Sequence, residues 1–132
     1  MFILADFNEE FNRFTNTKDT TAEYAPEDIQ NNKVMAILAY LSWLVLIPLI
    51  AAKDSKFARF HCNQGIVLAI IEIVIWAIFG ALSFIPFVGW IFIIINSVLS
   101  LGCLALAIIG IINAANGNAK ELPLIGHIKL IK

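Results

Sequence analysis

Side chains able to do chemistry are scarce in this 132-residue chain, and they gather in two places. The first is a lone carboxylate. Glu72 is the only charged residue between Phe60 and Ala119, in a stretch dominated by Ile, Leu, Val, Phe and Ala. An acid in such surroundings is either a proton or cation site on a permeation path or a buried polar group that joins helices. The second place is the patch from Lys53 to Gly65, which carries Lys56, Phe57, Arg59, Phe60, His61, Asn63 and Gln64. Asp54 is expected to cap a helix there. Phe57, Phe60 and His61 would then share one face at i, i+3 and i+4, with Lys56 and Arg59 placed for lipid phosphates. The patch reads as an interfacial anchor that fixes topology, or as a docking surface for a protein or a lipid headgroup.

The elements that must position these residues are membrane helices. The chain is 60% hydrophobic and 14% charged, against roughly 45–50% and about 25% in soluble domains, so its solvent is lipid. Three spans are expected, at about 34–52, 65–85 and 88–112, within a membrane domain covering 33–117. The first is just long enough for a hydrocarbon core of about 30 Å at roughly 1.5 Å per residue. Pro86, Gly89 and Trp90 mark a tight hairpin between the second and third. Gly117 and Asn118 stop the last helix, and the tail 118–132 reads as a segment on the membrane surface whose lysines snorkel to headgroups.

Charge segregation suggests an orientation. Lys53, Lys56 and Arg59 lie in the first loop, Lys120, Lys129 and Lys132 in the tail, and none in the second loop. The positive-inside rule puts the first loop and the C-terminus in the cytoplasm of a multi-pass cell-membrane protein, and three spans then put the N-terminus outside. Lys33 argues mildly the other way; alternatively the first apolar run is re-entrant and both termini lie inside. Residues 1–32 form an acidic tail. Within it, 2–14 has the 3–4 spacing of a short amphipathic helix (Leu4, Phe7, Phe11, Phe14), and Thr15 to Asn32 reads as a flexible linker.

Small and polar residues mark the faces on which membrane helices meet. Asn96, Ser100, Cys103, Ala107, Gly110 and Ala114 form such a stripe on the third span, and Gly65, Ala69, Glu72 and Trp76 one on the second. Across the Pro86 turn, residues of equal depth should have numbers summing to about 173. That places Glu72 within reach of Ser100, with Ser97 as a further neighbour and Asn96 about a turn away. A central acid costs roughly 3 kcal/mol of insertion free energy, and the span's apolar residues contribute about −4 to −8 kcal/mol, so the helix still inserts. Without a basic partner or a second acid, Glu72 fits interhelical glue better than a relay.

Other functions find little support. Cys62 and Cys103, with His61 and His127, give no zinc spacing and no disulfide framework. The basic residues form no nucleic-acid stripe. The segment Met1–Asp6 lacks the positive start and apolar core of a signal peptide, so the later spans are expected to drive insertion. No base–nucleophile pair can be assembled. The expectation is a non-enzyme with no catalytic residue, cofactor or metal.

The loop patch also carries a resemblance. Lys53-Asp54-Ser55, then Phe57-Ala58-Arg59-Phe60-His61 with Asn63-Gln64-Gly65, and finally Leu122-Pro123 with Ile125-Gly126 resemble a family of small prokaryotic membrane proteins. That family is related to the Tic-type (Tic-twenty-like) component of the chloroplast inner-envelope protein-import channel. The resemblance covers about Asp28 to Lys132. Some members carry an N-terminal zinc ribbon; here no cysteine precedes Cys62, which itself stands where a small residue is expected. It implies at most a part in membrane-protein or precursor handling.

Taken together, the sequence predicts an all-α integral membrane protein: three transmembrane helices, an interfacial helical loop and a flexible N-terminal tail. It would act as an accessory component of a membrane assembly, with the lipid bilayer and a protein partner or its own copies as neighbours and no nucleic acid. The alternative is an oligomeric channel or proton-coupled carrier using Glu72.

Overall fold

The computed structural model describes residues 2–130. In chain order its helices are α1 (Phe2–Thr15), α2 (Pro26–Asn31), α3 (Lys33–Leu38), α4 (Leu46–Ala51), α5 (Lys56–Leu82) and α6 (Gly89–Ala115), with 3-10 turns at Thr21–Glu23 and Ser42–Val45. Among the described residues the only extended pairing is a single antiparallel bridge between Asp19 and Lys120.

α5 and α6 pack along each other as an antiparallel hairpin, turning at Pro86 as the breaker there predicts. Each has 27 residues, about 40 Å of helix, and each is long and apolar enough to cross a membrane. Their outer faces leave Ile73, Trp76, Val98 and Leu101 more than half exposed. Apolar area of that kind costs about 25 cal/mol per Å² in water, and lipid removes the cost. α6 ends as its sequence dictates: Gly117 takes φ +74°, and Asn118 N–H bonds the carbonyl of Asn113 at 2.8 Å, a glycine-closed helix end.

The first apolar run departs from expectation. Residues 34–52 do not form one transmembrane helix; they fold as α3, a turn and α4, each helix six residues and so about 9 Å long. Two causes are visible. Pro48 would remove a ladder hydrogen bond from a continuous helix, but in the first turn of α4 its missing N–H has nothing to donate to. The buried Tyr40 side chain is drawn sideways to His61 on α5. α3 packs on α6 and α5, and α4 packs on α5 and back on α3. The run therefore folds back on itself. Its irregular backbone at Ala39 and Tyr40 is buried in protein, the condition under which lipid tolerates it.

The polar segments are not loose either. Thr20 N–H bonds Ala119 O at 2.9 Å and Glu121 N–H bonds Lys18 O at 3.0 Å, so the linker and the C-terminal tail are strapped together. That strap puts residues from Thr17 onward on the same side of the hairpin as the tail, and the flexible-linker reading of Thr15–Asn32 gives way to a folded cap. The buried core sits in and beneath this cap, around Ala36, Tyr40, Phe57, Cys62, Ala114 and Leu122. α1 stands apart from the other helices, with Leu4, Phe7, Phe11 and Phe14 exposed along one face.

Candidate functional site at the membrane face

Lys56 to Gln64 form the first two and a half turns of α5, and Lys53, Asp54 and Ser55 lead into it. Its cap is Ser55, whose hydroxyl accepts from Ala58 N–H at 3.0 Å; Asp54 does not fill the position that the sequence suggested. Asp28 completes the helix start from α2, accepting from the Ser55 hydroxyl and from Phe57 N–H. Phe57 is fully buried, edge-on to Tyr24 and His61. Phe60 packs on the same two rings, so Phe57, Phe60 and His61 share one face, with Phe57 and His61 buried and Phe60 partly exposed at its edge.

His61, Asn63 and Gln64, the polar residues at the start of the span, serve the tail. His61 Nε2 meets Asn118 O at 2.9 Å and Nδ1 meets the Tyr40 hydroxyl at 2.5 Å. A carbonyl cannot donate, so Nε2 carries the proton and Nδ1 accepts from Tyr40: a neutral imidazole with both nitrogens used. Gln64 donates to Gly126 O at 3.0 Å and accepts from Leu122 N–H at 2.9 Å. Asn63 donates to Ile128 O at 2.9 Å and accepts from Leu130 N–H at 2.6 Å. The amide side chains do for residues 122–130 what a neighbouring strand would do, supplying a donor and an acceptor at each anchor. The tail is folded onto α5 by these bonds.

Lys56, Arg59 and Phe60 remain on the outer side, on a cleft of about 770 Å³ that also takes Lys18, Lys53 and Lys129. Nearby, the Asp19 carboxyl is held below the usual carboxylate range by hydrogen bonds from the Thr21 hydroxyl and N–H. Burial raises the Tyr24 phenol above its ordinary value.

Within the spans, Glu72 and Ser100 line one cavity of about 290 Å³ with Cys103, Ala107 and Gly65, at the depth pairing read from the sequence. The firm partner of Glu72 is on its own helix: Trp76 Nε1 donates to Oε1 at 2.8 Å. Ser97 turns away to donate to Ile93 O. The other Glu72 oxygen, Asn96 Oδ1 and Ser100 Oγ are buried without a hydrogen-bond partner. The small-residue stripes divide their work. Gly110 receives the Tyr40 ring, where a Cβ would lie 2.3 Å from a ring carbon, and Gly65 receives the Ala39 carbonyl, where a Cβ would lie 1.8 Å from the oxygen.

Asp28, Tyr40 and Ser55 are the residues that sequence reasoning missed. Their partners lie 29, 21 and 27 positions away, and no local pattern signals such a pairing.

A lipid-facing hairpin under a folded polar cap, with its polar side chains committed to backbone, defines a small helical membrane protein. The chain belongs to the magnetosome magnetite crystal formation protein family, the MamF and MmsF family, whose model matches residues 31–131. It is 34% identical over 97 residues to the magnetosome protein MmsF of Paramagnetospirillum magneticum, covering 72% of this chain and 82% of that one. It is 32% identical to the magnetosome protein MamF of Magnetospirillum gryphiswaldense, covering 72% and 79%. A UPF0132 membrane protein of Methanocaldococcus jannaschii is 30% identical, covering 70% and 63%. No solved structure matches. These relatives overturn the Tic-type resemblance: the family is the MamF and MmsF family, and nothing points to an import component.

Proposed function

We propose that this protein is a non-enzymatic structural component of a membrane, in which the α5–α6 hairpin is the anchor and the cap is the working face. The observation that carries this reading is the commitment of His61, Asn63 and Gln64, the side chains best suited to acid–base or ligand chemistry, to holding the C-terminal tail. A family named for magnetosome magnetite crystal formation extends the proposal to a membrane on which mineral forms. The lysines and arginine on the cap favour a cytoplasmic face, with the two long helices as spans and the first apolar run re-entrant.

The test is a fluorescent fusion expressed in Paramagnetospirillum magneticum lacking its MmsF. Alignment of the fusion with the crystals and a change in crystal formation on its expression support the role. Even cell-membrane fluorescence with unchanged crystals argues against it.

A second reading rests on the Glu72 cavity, where unpartnered polar oxygens face the groove between the two spans. An oligomer lining a proton or cation path with these residues would satisfy them. Liposome flux abolished by Glu72→Gln, with assembly intact, would put this reading first.

A further inference from the structure

The outer cleft is built from segments far apart in sequence. Lys18 comes from the strap after α1, Lys53 and Lys56 from the turn into α5, Arg59 from its first turn, and Lys129 from the folded tail. Three acids share the lining: Glu23, Asp54 and Glu121. Lys129 pairs with Glu121 at 3.0 Å and lies over the Phe60 ring at 5.1 Å. Setting that pair aside leaves four cations facing two acids around about 770 Å³.

Its depth in the membrane follows from helix length. α5 is about 10 Å longer than a hydrocarbon core of about 30 Å, and its polar residues other than Glu72 are grouped at the start, from Lys56 to Gln64. The apolar run from Gly65 onward fills the core, so Arg59, Phe60 and Asn63 lie within about two turns of its edge, in the headgroup layer. A cationic cleft at that level, floored by an aromatic ring, meets a phosphodiester before any soluble anion.

We infer that this cleft binds the phosphate of an anionic phospholipid headgroup, with Lys53, Lys56 and Arg59 as its main cations and Lys18 closing it from the strap. The tail clamp supports the site, because Asn63 both lines the cleft and holds Leu130 and Ile128 in place. Lipid recognition is thus tied to a docked tail.

The experiment uses the full chain released from detergent micelles in a native mass spectrometer, with equimolar dioleoyl phosphatidylglycerol and dioleoyl phosphatidylcholine supplied. The expected result is one retained phosphatidylglycerol at tenfold or better preference. A basic residue near an anionic surface contributes roughly fivefold in affinity, so Lys53→Gln with Lys56→Gln should remove most of the preference. Both lysines are exposed, and unchanged protease resistance of the tail checks that the cap is intact. Arg13→Gln, which removes one positive charge on α1 outside the cleft, as Lys18→Gln does within it, should leave the preference unaltered. Should the double variant unfold, Lys18→Gln alone must still lower the preference severalfold. Equal retention of the two lipids, or a preference that survives these variants, overturns the proposal. So does displacement of the lipid by millimolar inorganic phosphate, which would make the free anion the ligand.

Discussion

The Tyr40 hydroxyl meets His61 Nδ1 at 2.5 Å, joining the break in the first apolar run to the start of the first full span. Both residues are buried, and the same imidazole holds the Asn118 carbonyl on its other nitrogen. One ring therefore ties together the first apolar run, α5 and the segment after α6. Tyr40→Phe removes the donor and leaves Nδ1 without a partner, a loss of about 1–3 kcal/mol. The measurement is thermal unfolding in detergent, and an unchanged midpoint would show that the link carries no stability.

Glycine substitutions separate close packing from mere helix preference. Gly65→Ala drives a Cβ into the Ala39 carbonyl, a backbone atom that cannot rotate aside. Overpacking of that kind costs about 3 kcal/mol or more. Gly80→Ala meets nothing within 4 Å, and alanine is favoured over glycine in a helix by roughly 0.5–1 kcal/mol. The two variants should move the unfolding midpoint in opposite directions.

Release of the tail is readable by proteolysis. Gln64→Ala leaves Leu122 N–H without its partner, worth about 1–3 kcal/mol when buried and unmet, and leaves Gly126 O with only the Lys129 Nζ donor. Cleavage within 122–130 should accelerate while the hairpin stays protected. Gln64→Glu should lie between, since a carboxylate still accepts from Leu122 but cannot donate to Gly126.

Glu72→Gln should change stability little. The amide oxygen can still accept from Trp76 Nε1, and the cost of placing an acid in the span disappears. A large destabilisation in the unfolding assay would mean that the carboxylate makes an interaction across the helices that the amide cannot.

Acid should loosen the strap at its N-terminal side. Asp19 has its carboxyl held below 3.8, first by the Thr21 hydroxyl and then by the Thr21 N–H. A depressed folded-state pKa adds stability above the unfolded value and loses it as pH falls through the folded one. Thr21 in turn accepts from Ala119 N–H at 2.9 Å. NMR signals of Thr21 and Ala119 should therefore titrate together below pH 3.8; independent titration would separate the turn from the strap.

The apolar surroundings and the two long helices were legible in the sequence. Those features are written in local composition: an apolar run of helical length, a Pro86 turn between two such runs, and Gly117 to end the second. It also determined which residues of α5 and α6 meet, because an antiparallel hairpin fixes depth by counting, and Glu72 does share a cavity with Ser100. The tertiary structure alone decided the rest. An apolar run of sufficient length at 34–52 looks like a span until Tyr40, Gly65 and Gly110 are seen to fit together, and that fit depends on three segments distant in the chain. The polarity of His61, Asn63 and Gln64 was legible, but its direction was not. A side-chain amide that faces a partner and one that faces its own chain's tail look the same in sequence. Only the fold, by bringing residues 118–130 back to α5, gave those groups their backbone partners and gathered the cations of the cleft from distant segments.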